Sequence, residues 1–286
     1  MRTQDYIPIF YRDEQVARVQ SFSPSAAKPA KLMARYHAEE DIAAHVKVFS
    51  FEPTTATQLT EVHASQYVNG VLRGEQANGF GGKDPDVAKS FLYTTGSFLA
   101  AAQFAAKNQG WLVHSPTSGF HHAGPHGGGG FCTFNGLALA AKHLLGENRR
   151  VGILDLDMHY GNGTDACLRE YIDAGIVPHV TESWRDSASC LAALPRILDD
   201  VFGKLSGRGV LLYQAGADSH EDDPLGGYLT TDAMRYRDML VFQWAKRHNV
   251  SVAWNLAGGY QVVDGEPTPV LDLHVATMRE AIKAAL

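Results

Sequence analysis

The chain has 286 residues, 45% of them hydrophobic, so it can bury a substantial core, and length alone allows one large α/β domain or two small ones. Charged residues make up 20% and the net charge is −6 with no basic block, which argues against direct nucleic-acid binding. No apolar run approaches the roughly 18 residues a membrane span needs, and MRTQDYIPIF has no secretion-signal pattern. Cys132, Cys167 and Cys190 are odd in number and widely spaced, which points to a reducing, cytoplasmic setting and away from a thiolate zinc site.

In chain order, Tyr6–Phe10 reads as a first strand, and SFSPSAAKPAK (21–31) as a surface loop leading into a helix near Leu32–Arg35. His45–Phe51 is a second strand. Leu59–Leu72 has helical apolar spacing, with His63 expected to be structural. GFGGKDP (79–85) is a flexible loop, after which Asp86 can cap a long helix to about Asn108. Trp111–His114 is the next strand. It runs into SPTSGFHHAGPHGGGGFCTFNG, which holds His121, His122 and His126, with five glycines between residues 124 and 130. This run lacks the Lys-Ser/Thr ending of a phosphate-binding loop. An adjacent histidine pair inside a glycine-rich loop suits catalysis, whereas His126 is expected to be solvated.

A helix over Asn135–Leu145 feeds the stretch RVGILDLDMHYGNGTD (150–165). Val151–Leu154 has the apolar character of a buried parallel strand. Alternation beyond it would point Asp155, Asp157 and His159 to one face, and Thr164-Asp165 could cap the following helix. In isolation, D-x-D-x-H is equally compatible with capping acids and a satisfied loop histidine. Further on, a helix to about Ala174 and a strand Ile176–Val180 precede the loop TESWRD. A helix to about Leu205 follows, kinked or started near Pro195. Val210–Tyr213 empties into QAGADSH, which holds Asp218; Thr231-Asp232 opens a helix to His248. Val250–Leu256 ends in Ala257-Gly258-Gly259-Tyr260, and Pro269–Ala285 is a closing helix. Strands alternating with helices, without repeats or linkers, predict a single α/β domain over 1–286 with a mostly parallel sheet covered on both faces.

Ligands in open α/β sheets collect at the carboxyl ends of strands. Asp157, His159 and Asp218 would form a three-ligand site with open positions, the pattern of a catalytic Zn²⁺; iron(II) or cobalt would also suit it. His121 and His122 can serve as acid and base, Asp155 and Asn162 can orient them, and Tyr260 can polarise a carbonyl. These parts fit amide hydrolysis.

HHAGPHGGGGFCTFN, DLDMHYGNGT, AGADSHEDDPLGG and AGGYQ, in this order, resemble the zinc-dependent histone deacetylase family, most closely its class IV branch and bacterial relatives. The resemblance covers Leu59 to Gln261 and implies an arginase/deacetylase-like α/β fold and removal of acetyl or longer acyl groups from lysine. It gives Asp157, His159 and Asp218 as zinc ligands, His121-His122 as the acid/base pair and Tyr260 as the carbonyl-polarising group. It also implies a K⁺ ion near Asp155, and Gly130 and Phe131 lining a substrate tunnel. The implied partner is an acylated lysine peptide or protein; oligomeric state is not legible.

Departures from the family pattern also matter. Ser118-Gly119-Phe120 replaces the usual R-P-P-G before the histidines, and the short segment between Val180 and Val210 lacks the family's second tunnel aromatic, for which Trp184 is one substitute. Asp84 is a candidate for the family's rim aspartate. Leu225 stands where polyamine-selective relatives carry an acid, which favours acyl-lysine over acetylpolyamines. Other readings are small-amide hydrolysis, a two-manganese ureohydrolase (which needs an Asp where Gly161 stands) and a silent acyl-lysine-binding module.

Overall fold

Runs of Val, Ile and Leu too short for helices form the strands, and the amphipathic segments between them form the covering helices. A computed structural model describes residues 4–181 and 184–286. In chain order the elements are β1 (Ile7–Phe10), α1 (Lys28–Ala38), α2 (Glu40–Ala43), β2 (Val46–Phe49), α3 (Ala56–Leu59), α4 (Ser65–Leu72), α5 (Pro85–Lys107), β3 (Leu112–Ser115) and α6 (Gly136–Gly146). There follow β4 (Arg150–Asp155), α7 (Asn162–Asp173), β5 (His179–Thr181), α8 (Ser187–Phe202), β6 (Gly209–Gly216), α9 (Thr231–Arg247), β7 (Ser251–Ala257) and α10 (Thr268–Ala285).

Among the described residues, seven strands form one sheet in the order β2-β1-β3-β7-β6-β4-β5, and every pairing is parallel. Alternate residues of each strand feed two cores. Val151, Ile153, Val210 and Leu212 face one, with Phe98 and Leu137 from α5 and α6. Leu154, Leu211, Tyr213 and Trp254 face the other, with Leu198, Phe242 and Met278 from α8, α9 and α10. A sheet buried on both faces leaves only its strand ends for chemistry.

The architecture is the α/β fold expected, with local corrections. The single helix expected over Leu59–Leu72 is two, α3 and α4, separated by a turn. The residue capping α5 is Asp84, whose carboxylate accepts from Asp86 N–H at 2.8 Å, because Pro85 takes the first helical position, where its missing N–H costs nothing. The strand expected at Ile176–Val180 is displaced to His179–Thr181. Helix α8 starts at Ser187 under an Asp186 cap and carries Pro195 inside it. Of the loop expected at 181–186, Glu182 and Ser183 lie outside the described residues. No helix among those described is long and apolar enough to cross a membrane, and the three cysteines are free.

Candidate metal and catalytic site

The four neighbouring strands β3, β7, β6 and β4 all end at one edge, and each delivers a polar segment there. Strand β4 stops at Asp155, so the expected alternation does not continue as a strand. Instead the acids fold the chain locally: Asp155 Oδ1 accepts from Asp157 N–H at 3.1 Å, and Asp157 Oδ1 accepts from His159 N–H at 3.0 Å. These aspartate turns bring Asp157 and His159 back over the sheet edge. From β6, Asp218 accepts from Met158 N–H at 3.1 Å, joining the two ligand-bearing segments.

The donor atoms of Asp157, His159 and Asp218 lie within 4.8 Å of one another. His159 Nδ1 is 3.3 Å from Asp157 Oδ1 and 3.0 Å from Asp218 Oδ2. Tetrahedral zinc with bonds of about 2.0–2.2 Å separates its donors by roughly 3.4 Å, so the three residues fit such an ion. Charge agrees with geometry. Burial and the neighbouring Asp157 push the Asp218 carboxyl up to about 6. Hydrogen bonds to Asp157 and Asp218 lift His159 to about 10. The cluster is therefore a buried demand for positive charge.

Beside it stand the paired histidines. His121 Nδ1–H donates to Asp155 Oδ2 at 2.7 Å, and His122 Nδ1–H donates to Asn162 Oδ1 at 2.7 Å, with ring centroids 4.1 Å apart. Burial opposes a charge on His121, yet Asp155, Asp157 and Asp218 together raise it to about 9. Burial and the His121 charge instead lower His122. Two adjacent imidazoles thus differ in protonation because one faces the acids and the other does not.

Gly130 and Gly258 allow this crowding. A Cβ on Gly130 (φ +52°) would lie 2.4 Å from His122 Cδ2, and one on Gly258 (φ +49°) 2.3 Å from Asp218 Cγ. Tyr260, His121, Asp157, Gly130 and Phe131 line one recess. Burial, with Asp157 and Asp218 nearby, keeps the Tyr260 hydroxyl protonated far above neutral pH.

Other expected residues fall outside this ring. Leu225 is exposed on the loop after Asp218, its N–H donating to Asp223 Oδ1 at 3.0 Å. Thr164-Asp165 does not cap α7, which begins at Asn162. Thr164 is buried against Asn135 (3.1 Å), and Asp165 accepts from His179 Nδ1–H at 2.6 Å. His63 is structural, bonded to Gly124 O and Asn135 N–H, and His126 is exposed. Asp84 caps α5 and is exposed. Trp184 packs on Tyr228, centroids 6.4 Å apart, among Cys190 and Leu229.

Sequence reasoning missed three supports and one rim residue. Gln214 Nε2–H donates to Asp155 Oδ1 at 3.0 Å while its Oε1 accepts from Phe120 N–H at 3.1 Å, tying the histidine loop to β6. Asp223 Oδ2 accepts from Tyr260 N–H at 2.7 Å. The fully buried Lys28 donates from Nζ to Gly258 O. Phe22, on the Ser/Pro-rich loop, lies against Phe131 and Tyr260. The acid marked after the end of β6 was Asp218; nothing comparable marked Gln214, Asp223, Lys28 or Phe22.

The comparisons with known proteins bear on this geometry. The fold is similar to the crystal structure of the HDA15 HD domain, with a TM-score of 0.78 at 16% identity, covering 98% of this chain and 89% of that one. Histone deacetylase 2 of Arabidopsis thaliana is 31% identical over 193 residues, 59% of this chain and 49% of that protein. A probable deacetylase of Archaeoglobus fulgidus is 31% identical over 137 residues, 44% of this chain and 37% of that protein. The chain thus spans half or less of the length of these two relatives. The histone deacetylase domain model matches residues 23–177, more than half of the chain and inclusive of the histidine pair and the D-x-D-x-H turn. The chain is a member of the histone deacetylase domain family.

Proposed function

We propose that this protein is a zinc-dependent amidohydrolase that removes acetyl or longer acyl groups from lysine side chains of peptides or proteins. The observation carrying the reading is a recess lined by His121, Asp157 and Tyr260, with Asp157 clustered with His159 and Asp218 and with His122 beside His121. Zinc held by Asp157, His159 and Asp218 would act as a Lewis acid and bring the pKa of a water to about 7. His122, with Nδ1–H committed to Asn162, keeps a free lone pair on Nε2 that can take the proton of the attacking water. His121, cationic against Asp155, favours the negative charge that develops on the carbonyl oxygen, and its Nε2–H is a proton source for the departing amine. The Tyr260 hydroxyl donates to the same carbonyl oxygen. The K⁺ that the resemblance implies near Asp155 stays outside the proposal.

The test is hydrolysis of an acetyl-lysine peptide beside acetylputrescine. Peptide turnover should be abolished by a chelator and fall about 10²–10³-fold in kcat in Tyr260→Phe, the loss expected for one oxyanion donor. Turnover of acetylputrescine alone would move the substrate to small amides. No turnover with zinc bound would leave a silent binding module.

A further inference from the structure

The short segment between β5 and β6 places Trp184 on Tyr228, ring centroids 6.4 Å apart. A ring that faces Phe131 comes from the other end of the chain. Phe22 meets Phe131 edge-on, with centroids 5.3 Å apart and planes at 87°, and lies 6.2 Å from the Tyr260 ring. Phe131 itself is fixed: it is 5.4 Å from Tyr260 and 5.7 Å from Phe80, with its backbone at φ +63°. Phe22 is 68% exposed.

The loop bearing Phe22 is anchored at its base rather than at its tip. Ala17 N–H donates to Ala26 O at 3.1 Å, Ser23 Oγ–H donates to Ser25 Oγ at 2.9 Å, and Ser118 Oγ–H donates to Ser25 O. Ser25 and Ser118 also line the recess that holds His121, Asp157 and Tyr260. The loop is therefore built into the wall of the site, while its exposed phenyl ring packs on two recess residues, Phe131 and Tyr260.

An alkyl chain held between two aromatic surfaces needs about 7–8 Å between them, two carbon–carbon contacts of 3.5–4.0 Å. At 5.3 Å the Phe22–Phe131 pair leaves no such gap. An exposed side chain changes rotamer in picoseconds to nanoseconds, so Phe22 can swing aside, whereas Phe131 is packed on two sides. We infer that Phe22 is a specificity-determining gate over the catalytic recess, admitting slender, unbranched acyl groups and excluding bulky ones.

The gate rests on the acyl-lysine reading above. The acyl group must pass it before its carbonyl reaches Tyr260, and the lysine methylenes then occupy the gap that Phe22 opens against Phe131. Phe22 thus stands where the shortened 180–210 segment would otherwise leave one wall missing.

The test pairs hydrolysis with calorimetric binding, using one peptide carrying Nε-acetyl-lysine or Nε-benzoyl-lysine, on the wild type, Phe22→Ala, Phe22→Leu and Trp184→Ala. Phe22→Ala should shift the benzoyl-to-acetyl ratio at least tenfold toward benzoyl, in both kcat/KM and Kd. Its acetyl KM should rise several-fold with kcat held within about twofold; Phe22→Leu should fall between, and Trp184→Ala should leave the ratio unmoved. Hydrolysis with an unmoved ratio in Phe22→Ala, or a ratio that follows Trp184 instead, overturns the gate and leaves the proposed function intact. A shifted Kd ratio without hydrolysis by any form keeps the gate and removes the proposed function. Neither binding nor hydrolysis by the wild type overturns both.

Discussion

The recess and its rim are built on opposite terms. His121, Asp155, Asp157 and Asp218 are buried and stand on or just after strands held by neighbours on both sides. Phe22, packed on Phe131 and Tyr260, is exposed and stands on a loop, as does Leu225 after Asp218. The inner group is pre-positioned by backbone pairing and by aspartate turns, which suits chemistry that tolerates little misplacement. At the rim, side chains fixed only at their loop bases can adapt to what enters. Under the proposed function, the contrast would put reaction chemistry at the strand ends and selectivity on the loops.

The comparison sharpens if inner substitutions destroy chemistry outright and rim substitutions only redistribute substrates. Asp218→Ala should have the largest effect. It removes one of three clustered donors and leaves His159 without its 3.0 Å partner. Zinc retained after dialysis should fall from near one per chain to near zero, and peptide turnover by more than about 10³-fold. Retained metal with normal turnover would show that the cluster is not the metal site.

Asp223→Asn tests the layer between. Asp223 touches no metal donor but accepts from the Tyr260 backbone at 2.7 Å. Losing a charge-assisted bond of about 1.5 kcal/mol should lower kcat about tenfold, with zinc content and KM unchanged. A change in KM or metal content instead would place Asp223 with the scaffold rather than with Tyr260. At the rim, Leu225→Glu should leave acetyl-lysine kcat within about twofold and raise kcat/KM for acetylputrescine several-fold by pairing with its free ammonium. A large loss of kcat in that variant would break the division between recess and rim.

The same division explains what the sequence disclosed. The recess was legible because its residues lie in short stretches at strand ends, where an apolar run followed by Asp or His already implies a position at the sheet edge. Even there the detail differed: Asp157 and His159 arrive by aspartate turns and not by strand alternation, a distinction that period-2 reasoning does not make. Capping was legible in kind but not in place, because Pro85 moved the cap of α5 back to Asp84. Phe22 was illegible for a different reason. More than 200 residues separate it from Tyr260, and no periodicity in a Ser/Pro loop marks which side chain meets a partner that distant. Lys28 likewise reads as a surface lysine until the sheet closes over it. Trp184 is placed by its local packing, here against Tyr228, which the sequence of a short loop does not disclose.

The bond from Lys28 Nζ to Gly258 O spans 230 positions, which gives the order in which the site is completed. At a synthesis rate of about 5–20 residues per second, roughly 10–50 s pass between the appearance of these two residues. Contacts of such separation form late, since the loop between them must be ordered first. Over the last part of that interval, the roughly 2–8 s between Asp218 and Tyr260, all three proposed zinc ligands have been made, while the tyrosine that would polarise the carbonyl has not. A chain ending between residues 218 and 260 therefore carries the three proposed metal ligands without the proposed carbonyl-polarising tyrosine, and joining the first helix to the last core strand completes the arrangement.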